Sequence, residues 1–118
     1  MSEEERKDLE AILTGDYDRI DARAEKLAAE IRSLNRTQLR NFYGPLVKVR
    51  VELDAERQRN ALRMLRPRLA YMVARDRNAE GLWKWFAELL KRASRPNQIG
   101  SVCDFAEAVI AYHRRESR

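Results

Sequence analysis

Apolar residues recur along this chain at steps of three and four, which is the spacing that places side chains on one face of an α-helix. The clearest run is Ile20, Ala24, Leu27, Ile31 and Leu34. Asp16 stands just before this run, where a carboxylate can cap the first helical turn. The pattern therefore predicts one well-formed amphipathic helix in the first third of the chain.

Two helices are predicted on either side of this run. Ser2 and Glu5 have the spacing of a capping box, which indicates a short helix that ends at Thr14-Gly15. A further helix is predicted to open at Asn35 or Thr37 and to continue to Leu53. Gly44-Pro45 must bend or interrupt it, because proline lacks the amide hydrogen and its ring crowds the preceding turn.

The second half of the chain predicts three more helical segments. Pro67 suits a first helical turn, so a helix is expected to restart there. The segment 82–93 follows, with Trp83 and Trp85 at the two edges of its apolar face. Ser101 and Asp104 again have capping-box spacing and are expected to open the last helix.

The fold class that follows is all-α, a compact bundle of about five helices. The 118 residues suit one domain, 1–118, in which the amino-terminal helix over 1–15 is short enough to be mobile. Four glycines and three prolines are too few for a sandwich or barrel rich in tight turns.

Charge is unevenly distributed along the chain. Residues 1–32 hold ten acids and six bases, whereas residues 33–118 hold nine acids and eighteen bases. Two long segments, Ser33–Val51 and Arg57–Arg75, contain arginines or lysines and no acid. Such segments are the electrostatic footprint of a protein that binds a phosphate backbone. The alternative is a solvated face of an arginine-rich protein.

The chain offers little catalytic or metal-binding chemistry. One cysteine, Cys103, and one histidine, His113, cannot form the usual zinc cluster, and both are expected to be structural. Asp16, Asp18 and Asp21 are interpreted as helix-capping residues. No catalytic residue, metal site or cofactor is predicted. No segment has the apolar length of a membrane span or the pattern of a secretory signal, and the expected location is the cytoplasm.

Three stretches of the sequence resemble a known family. They are "TQLRNFYGPLVKVR", "LRMLRPRLAYMVARD" and "FAEAVIAYHRR", which together span roughly Thr37 to His113. The middle stretch is the most specific, with Leu65, Arg66, Pro67, Arg68, Leu69, Ala70, Tyr71 and Arg75 in the family's order. The chain is similar to the small subunit of type III-A CRISPR effector complexes, the Csm small-subunit family. Residues 1–32 lie outside the resemblance.

The resemblance implies a non-catalytic helical subunit that works in antiviral defence. Several copies would stack inside the ribonucleoprotein, beside the CRISPR RNA and the target RNA paired with it, and would contact other Csm subunits. A subunit that must tolerate any guide sequence should contact phosphates and sugars rather than base edges. The charge split, together with Trp83 and Trp85, further suggests head-to-tail contacts between copies.

Helical spacing selects the candidate RNA-binding residues. At about 100° per residue, Arg68, Tyr71 and Arg75 form a row away from the apolar face of Leu69, Met72 and Val73. Arg59, Arg63 and Arg66 form a second row if the helix continues through Pro67. The predicted RNA-binding residues are, in order of preference, Arg68, Arg75, Arg66, Arg40, Lys48 and Arg50.

Two other classes of function stay open at this point. A helical protein-interaction module or nucleic-acid-binding regulator would also carry basic helices. The stretch "RIDARAEKLAAEI" is similar to the first helix of chorismate mutases, which clamp a dianion between arginines, but the rest of that pattern is missing.

Overall fold

Six α-helices and one 3₁₀ turn make up the computed structural model, which describes residues 1–116. The helices are α1 (Glu3–Thr14), α2 (Tyr17–Glu30), α3 (Arg36–Val51), α4 (Ala55–Arg75), α5 (Glu80–Arg92) and α6 (Pro96–Glu116), with the 3₁₀ turn at Arg77–Ala79. The predicted all-α class is confirmed, with one helix more than the five expected. The last two residues of the predicted domain, 117 and 118, lie outside the described residues.

The helix starts follow local capping chemistry. Ser2 and Glu5 form the predicted capping box, and Asp16 accepts a hydrogen bond from the Arg19 amide at the start of α2. Asn35 caps α3 through the amide of Gln38. Gly15 ends α1 with a left-handed φ of 83°, a conformation that glycine adopts without steric cost.

Both prolines expected to break a helix lie inside one. α3 continues through Pro45, and α4 begins at Ala55, capped by Asp54, and continues through Pro67. The predicted restart at Pro67 is therefore wrong. Each proline leaves one carbonyl four residues earlier without its helical donor. The loss is tolerable because neither proline is buried, so water can reach the neighbouring backbone.

The predicted start of the last helix is also wrong. α6 begins at Pro96, a residue type suited to a first helical turn. Ser101 is buried inside the helix, where its hydroxyl donates to the Asn97 carbonyl at 3.0 Å. Asp104 instead accepts hydrogen bonds from Arg50 and from the Tyr17 hydroxyl.

The core is centred on aromatic residues of α3, α5 and α6. Phe86 packs edge-on against Phe42 at 4.8 Å and stacks with Phe105 at 5.3 Å, measured between ring centroids. Trp85 is fully buried, and Trp83 is half-buried beneath the Arg66 guanidinium. The expectation that Trp85 takes part in contacts between copies is therefore wrong, because no part of it reaches the surface.

α1 packs onto the bundle through apolar residues and one buried ion pair. Leu9, Ile12 and Leu13 are buried. Asp8 pairs with Arg23 at 2.7 Å, with both side chains almost completely buried, and Arg23 also lies 4.7 Å from the centre of the Trp85 ring. At the surface, Lys84 donates to the Glu5 carboxylate at 2.5 Å, and this hydrogen bond lowers the pKa of Glu5 to about 2.

α5 fits closely between its neighbours. A side-chain carbon at Gly81 would lie 2.6 Å from Ile31, the residue that caps the end of α2, so α5 can approach this end of α2 only because residue 81 is a glycine. At the other end of α5, Arg63 of α4 donates to the carbonyls of Leu90 and Ala93 at 2.7 and 2.8 Å. Arg66 donates to the Ala87 carbonyl at 2.8 Å.

The buried ion pair generates a stability prediction. Asp8→Ala should destabilise the fold by about 3–5 kcal/mol, because Arg23 would be left buried without its carboxylate partner. Glu4→Ala is the matched control, since Glu4 is an exposed carboxylate of the same helix and its loss should cost less than about 1 kcal/mol. Denaturant midpoints measure both. Equal midpoints for the two variants would contradict the assignment.

Candidate nucleic-acid interface

A long open groove runs between α3 and α4. The three-residue connection Glu52–Asp54 turns the chain back, so that α4 lies alongside α3 in the opposite direction. The groove has a volume of about 1070 Å³. Its lining, here called the basic groove, is formed by Gln38, Asn41, Pro45, Lys48, Val49 and Glu52 of α3 and by Ala61, Met64, Leu65, Pro67, Arg68, Tyr71, Met72 and Arg75 of α4.

α3 and α4 each pack one face against the core, and the groove lies between the faces next to those core faces. On α3, the lining positions 38, 41, 45, 48 and 52 step by three and four. On α4, positions 61, 64, 68, 71 and 75 do the same, while Leu62, Leu65 and Leu69 point toward the core. Both prolines lie in the lining.

Three of the predicted RNA-binding residues come together in this groove. Arg68 and Arg75 lie on the α4 wall and Lys48 lies on the α3 wall, and all three are exposed. Among residues 1–116, no carboxylate lies within ion-pair distance of any of these three side chains. Glu52, at the end of the groove beyond Lys48, is the acid of the lining. The groove is therefore cationic over most of its length.

Tyr71 stands beside these cations with 65% of its surface exposed. The Arg75 guanidinium lies 5.5 Å from the centre of the Tyr71 ring and donates a long hydrogen bond, 3.4 Å, to its hydroxyl. The predicted row of Arg68, Tyr71 and Arg75 thus lines one wall. A cation over an aromatic face restrains the ring without covering it completely.

Two other predicted residues lie away from the groove and bind within the chain. Arg66 points to the opposite flank of α4, where it donates to the α5 backbone and covers Trp83 at 5.3 Å. Arg50 reaches α6, where it pairs with Asp104 and Glu107 and donates to the Gly100 carbonyl. Both guanidinium groups hold neighbouring helices together.

Arg40 occupies a third position. It is exposed on α3 but does not belong to the lining of the basic groove. Sequence spacing explains this, because residue 40 is one step of about 100° from Asn41, which does line the groove. Of the six predicted residues, three thus lie in the groove, two make contacts between helices, and one lies on the adjoining surface.

Several groove residues were not among the predicted site residues. They are Gln38, Asn41, Met64 and Tyr71. Tyr71 lies in the predicted row with Arg68 and Arg75, but charge alone does not select a tyrosine as a candidate. The repeat of three and four residues along each lining face is the signal that could have found the others.

The remaining candidate residues are structural. Burial raises the pKa of the Cys103 thiol to about 11, and its sulfur lies 3.9 Å from the Leu46 carbonyl. His113 is fully buried, and its Nε2 lies 2.8 Å from the Leu34 carbonyl. Asp21 accepts a hydrogen bond from the Tyr112 hydroxyl, which raises the pKa of that phenol. The Cys103 and Asp21 contacts each join two helices, and the His113 contact joins α6 to the connection between α2 and α3.

Fold and site together define a small all-α protein whose distinguishing surface is a cationic groove between two antiparallel helices. The sequence pattern of the Csm2 Type III-A family matches residues 14–118. The chain therefore belongs to that family, the small subunits of type III-A CRISPR effector complexes. α1 lies almost entirely before the matched region. Among curated proteins and among solved structures, none matches the chain significantly.

Metal-binding and membrane-spanning features are absent from the described part of the chain. Among residues 1–116, no group of three or more His, Cys, Asp or Glu side chains is placed to hold a metal ion. Within the same residues, none of the helices combines the length and apolar content of a membrane span.

The groove arginines and the core beneath them should differ in their effect on stability. Arg68→Ala should change the free energy of unfolding by less than about 0.5 kcal/mol, because the side chain is exposed and has no ion-pair partner. Leu69→Ala should cost about 2–5 kcal/mol, because Leu69 is buried and its loss leaves a cavity. Denaturant unfolding of the two variants is the measurement, and a large loss for Arg68→Ala would show that this arginine is structural.

Proposed function

We propose that this protein is a non-catalytic RNA-binding subunit that lies in several copies beside the paired guide and target RNA. The observation that carries the proposal is the convergence of Lys48, Arg68 and Arg75 on one groove without a carboxylate partner. Unpaired cations in a groove attract a polyanion, and release of the polyanion's counterions favours binding. The role would be in antiviral defence in the cytoplasm.

The spacing of the cations suits a nucleic-acid strand. Arg68 and Arg75 are seven residues apart on one helix, which separates them by about 10 Å along the axis. Two such groups can hold the phosphates of different nucleotides on one strand. Guanidinium and ammonium contacts to phosphates carry no base information, so any guide sequence would be accepted.

The proposal depends less on the other three predicted arginines, Arg40, Arg66 and Arg50. Arg40 can extend the cationic surface along α3 beyond the groove. Arg66 and Arg50 stay predictions, but each would have to leave acceptors in neighbouring helices before it could contact RNA. We therefore base the proposal on the three groove residues.

The clamp of a small dianion is less well supported. Arg19 and Arg23, the arginines of the chorismate-mutase-like stretch, both pair with Asp8. Their charges are thus compensated within the chain. The groove arginines, by contrast, have no such compensation, and they favour an external anion.

The partners follow from family membership. Other subunits of the Csm complex are proposed to hold the protein in place, and the acidic first third of one copy is proposed to contact basic surface of the next copy outside the basic groove. We propose that the chain acts as a single domain, because α1 is anchored to the bundle by its buried apolar residues and the Asp8–Arg23 pair.

The proposal predicts the salt dependence of RNA binding. In the assembled complex, the slope of log affinity against log salt should become shallower by up to about one for each of Lys48→Ala, Arg68→Ala and Arg75→Ala, because fewer counterions are released. Lys91→Ala, an exposed lysine of α5 outside the groove, is the control and should leave the slope unchanged. Unchanged slopes for all three groove variants would contradict the proposal.

The absence of catalysis is a separate prediction. The full-length protein, incubated with labelled RNA or DNA and magnesium, manganese or zinc, should give no cleavage products above background. The buried thiol of Cys103, with its raised pKa, is not available as a nucleophile. Metal-dependent cleavage that survives repurification and is abolished by one carboxylate substitution would refute this part of the proposal.

A further inference from the structure

The basic groove contains more apolar surface than phosphate binding requires. Phosphates are held by cations and amide groups, and they gain nothing from hydrocarbon. Yet Pro45, Met64 and Met72 line the groove between the cations. Met64 keeps 64% of its surface exposed, which is unfavourable for an apolar side chain in water. These residues indicate that the groove accepts a ligand with an apolar part.

Tyr71 provides a flat surface at the cationic end of the groove. Its ring is mostly exposed and is restrained by the Arg75 guanidinium 5.5 Å away. A restrained and exposed aromatic ring can stack on a planar ligand without a large loss of side-chain freedom. Base stacking on such rings is tolerant of sequence, because every nucleobase has a π-face.

The polar residues at one end of the groove differ from those at the other end. Because α3 and α4 run in opposite directions, Gln38 and Asn41 lie at the same end as Tyr71 and Arg75, whereas Lys48 and Glu52 lie toward the other end. The carboxylate of Glu52 partly offsets the charge of Lys48, whereas the two arginines leave the Tyr71 end of the groove more strongly cationic. Gln38 and Asn41 each carry a donor and an acceptor, so they can bond the edge of any base.

We propose that the basic groove holds one unpaired nucleotide of the bound RNA. Its base would lie on Tyr71 and against Met72, and the phosphates on its two sides would lie at Arg68 and Arg75. Methionine side chains adapt to ligands of different shape, so purines and pyrimidines would both fit. This inference rests on the proposed RNA-binding function. It adds a contact with one base to the phosphate contacts proposed above.

Size and charge favour a nucleotide over a helix of a partner protein. The volume of about 1070 Å³ is at the upper end of pockets that hold a single small ligand. A helix of a partner would need an apolar stripe with acids at its edges to match the three cations. A nucleotide combines a planar ring with an adjacent anion. These two parts are complementary to the Tyr71 ring and to the neighbouring Arg68 and Arg75.

The test uses the complex assembled with its guide RNA and a series of target RNAs. Each target carries one extra unpaired 2-aminopurine, and the position of this fluorescent base is moved along the duplex. A parallel series carries a base-free site at the same position. Variants are Tyr71→Ala, Tyr71→Phe, which keeps the ring, and Leu53→Ala, an apolar control that is 99% exposed and outside the groove.

We expect 2-aminopurine fluorescence to be quenched at one or more positions, and the base to raise affinity there about tenfold over the base-free site. Tyr71→Ala should abolish both effects, and Tyr71→Phe and Leu53→Ala should keep them. Quenching at no position, or quenching that Tyr71→Ala leaves unchanged, would overturn the inference. Loss of the Tyr71→Ala subunit from the complex would also overturn it and would assign the groove to a partner protein.

These outcomes are separable from failure of the proposed function. The salt slope for a fully paired target tests the cations alone. If Arg68→Ala reduces that slope and no unpaired base is quenched, the groove binds a backbone and only the nucleotide site is refuted. If neither effect is seen, both proposals fail.

Discussion

The contact between α4 and the carboxyl end of α5 determines which face of α4 reaches the solvent. Arg63 donates to the carbonyls of Leu90 and Ala93, where helical donors run out at the end of α5, and Arg66 donates to the Ala87 carbonyl one turn earlier. A charged donor also favours this end of a helix because of the helix dipole. With that flank held against α5 and the leucines directed to the core, the remaining flank of α4 can only face α3 and the solvent.

The basic groove results from this orientation of α4 about its own axis. The arginines of α4 fall on two flanks, and the same residue type has two different roles. Arg63 and Arg66 stabilise the fold through backbone carbonyls, whereas Arg68 and Arg75 are left without carboxylates and give the groove its charge. Pro45 and Pro67 occur where the two helices line the groove, so the carbonyl that each leaves without a helical donor lies near water rather than in the core.

The sequence predicted the parts of the fold that depend on local patterns. Caps at Ser2, Asp16 and Asn35 fixed three helix starts, because each side chain bonds an amide only three residues away. The helix starts predicted at Pro67 and Ser101 were wrong because they too were based only on neighbouring residues. Proline is tolerated inside a helix when water can reach the carbonyl that it leaves without a donor, and a serine with capping-box spacing can equally lie inside a helix. Neither outcome is visible from neighbouring residues alone.

The candidate site was predictable only in part. Periodicity placed Arg68, Tyr71 and Arg75 in one row and Arg66 in another, which the continuous helix preserves. What the sequence could not show was which row faces α5, nor that Arg50 reaches Asp104 across 54 residues of sequence. Those facts depend on how helices distant in sequence pack, and they separate an arginine that binds a ligand from one that holds two helices together.

Lysine footprinting of the assembled complex tests the central claim most directly. Lys48 is exposed in the basic groove, and Lys91 is exposed on α5 outside it. The complex, loaded with guide RNA, is acetylated briefly with and without target RNA, and the modified lysines are quantified by mass spectrometry. If the groove holds RNA, the target should slow the acetylation of Lys48 and leave Lys91 unchanged. Acetylation of Lys48 at the same rate in both samples would contradict the account.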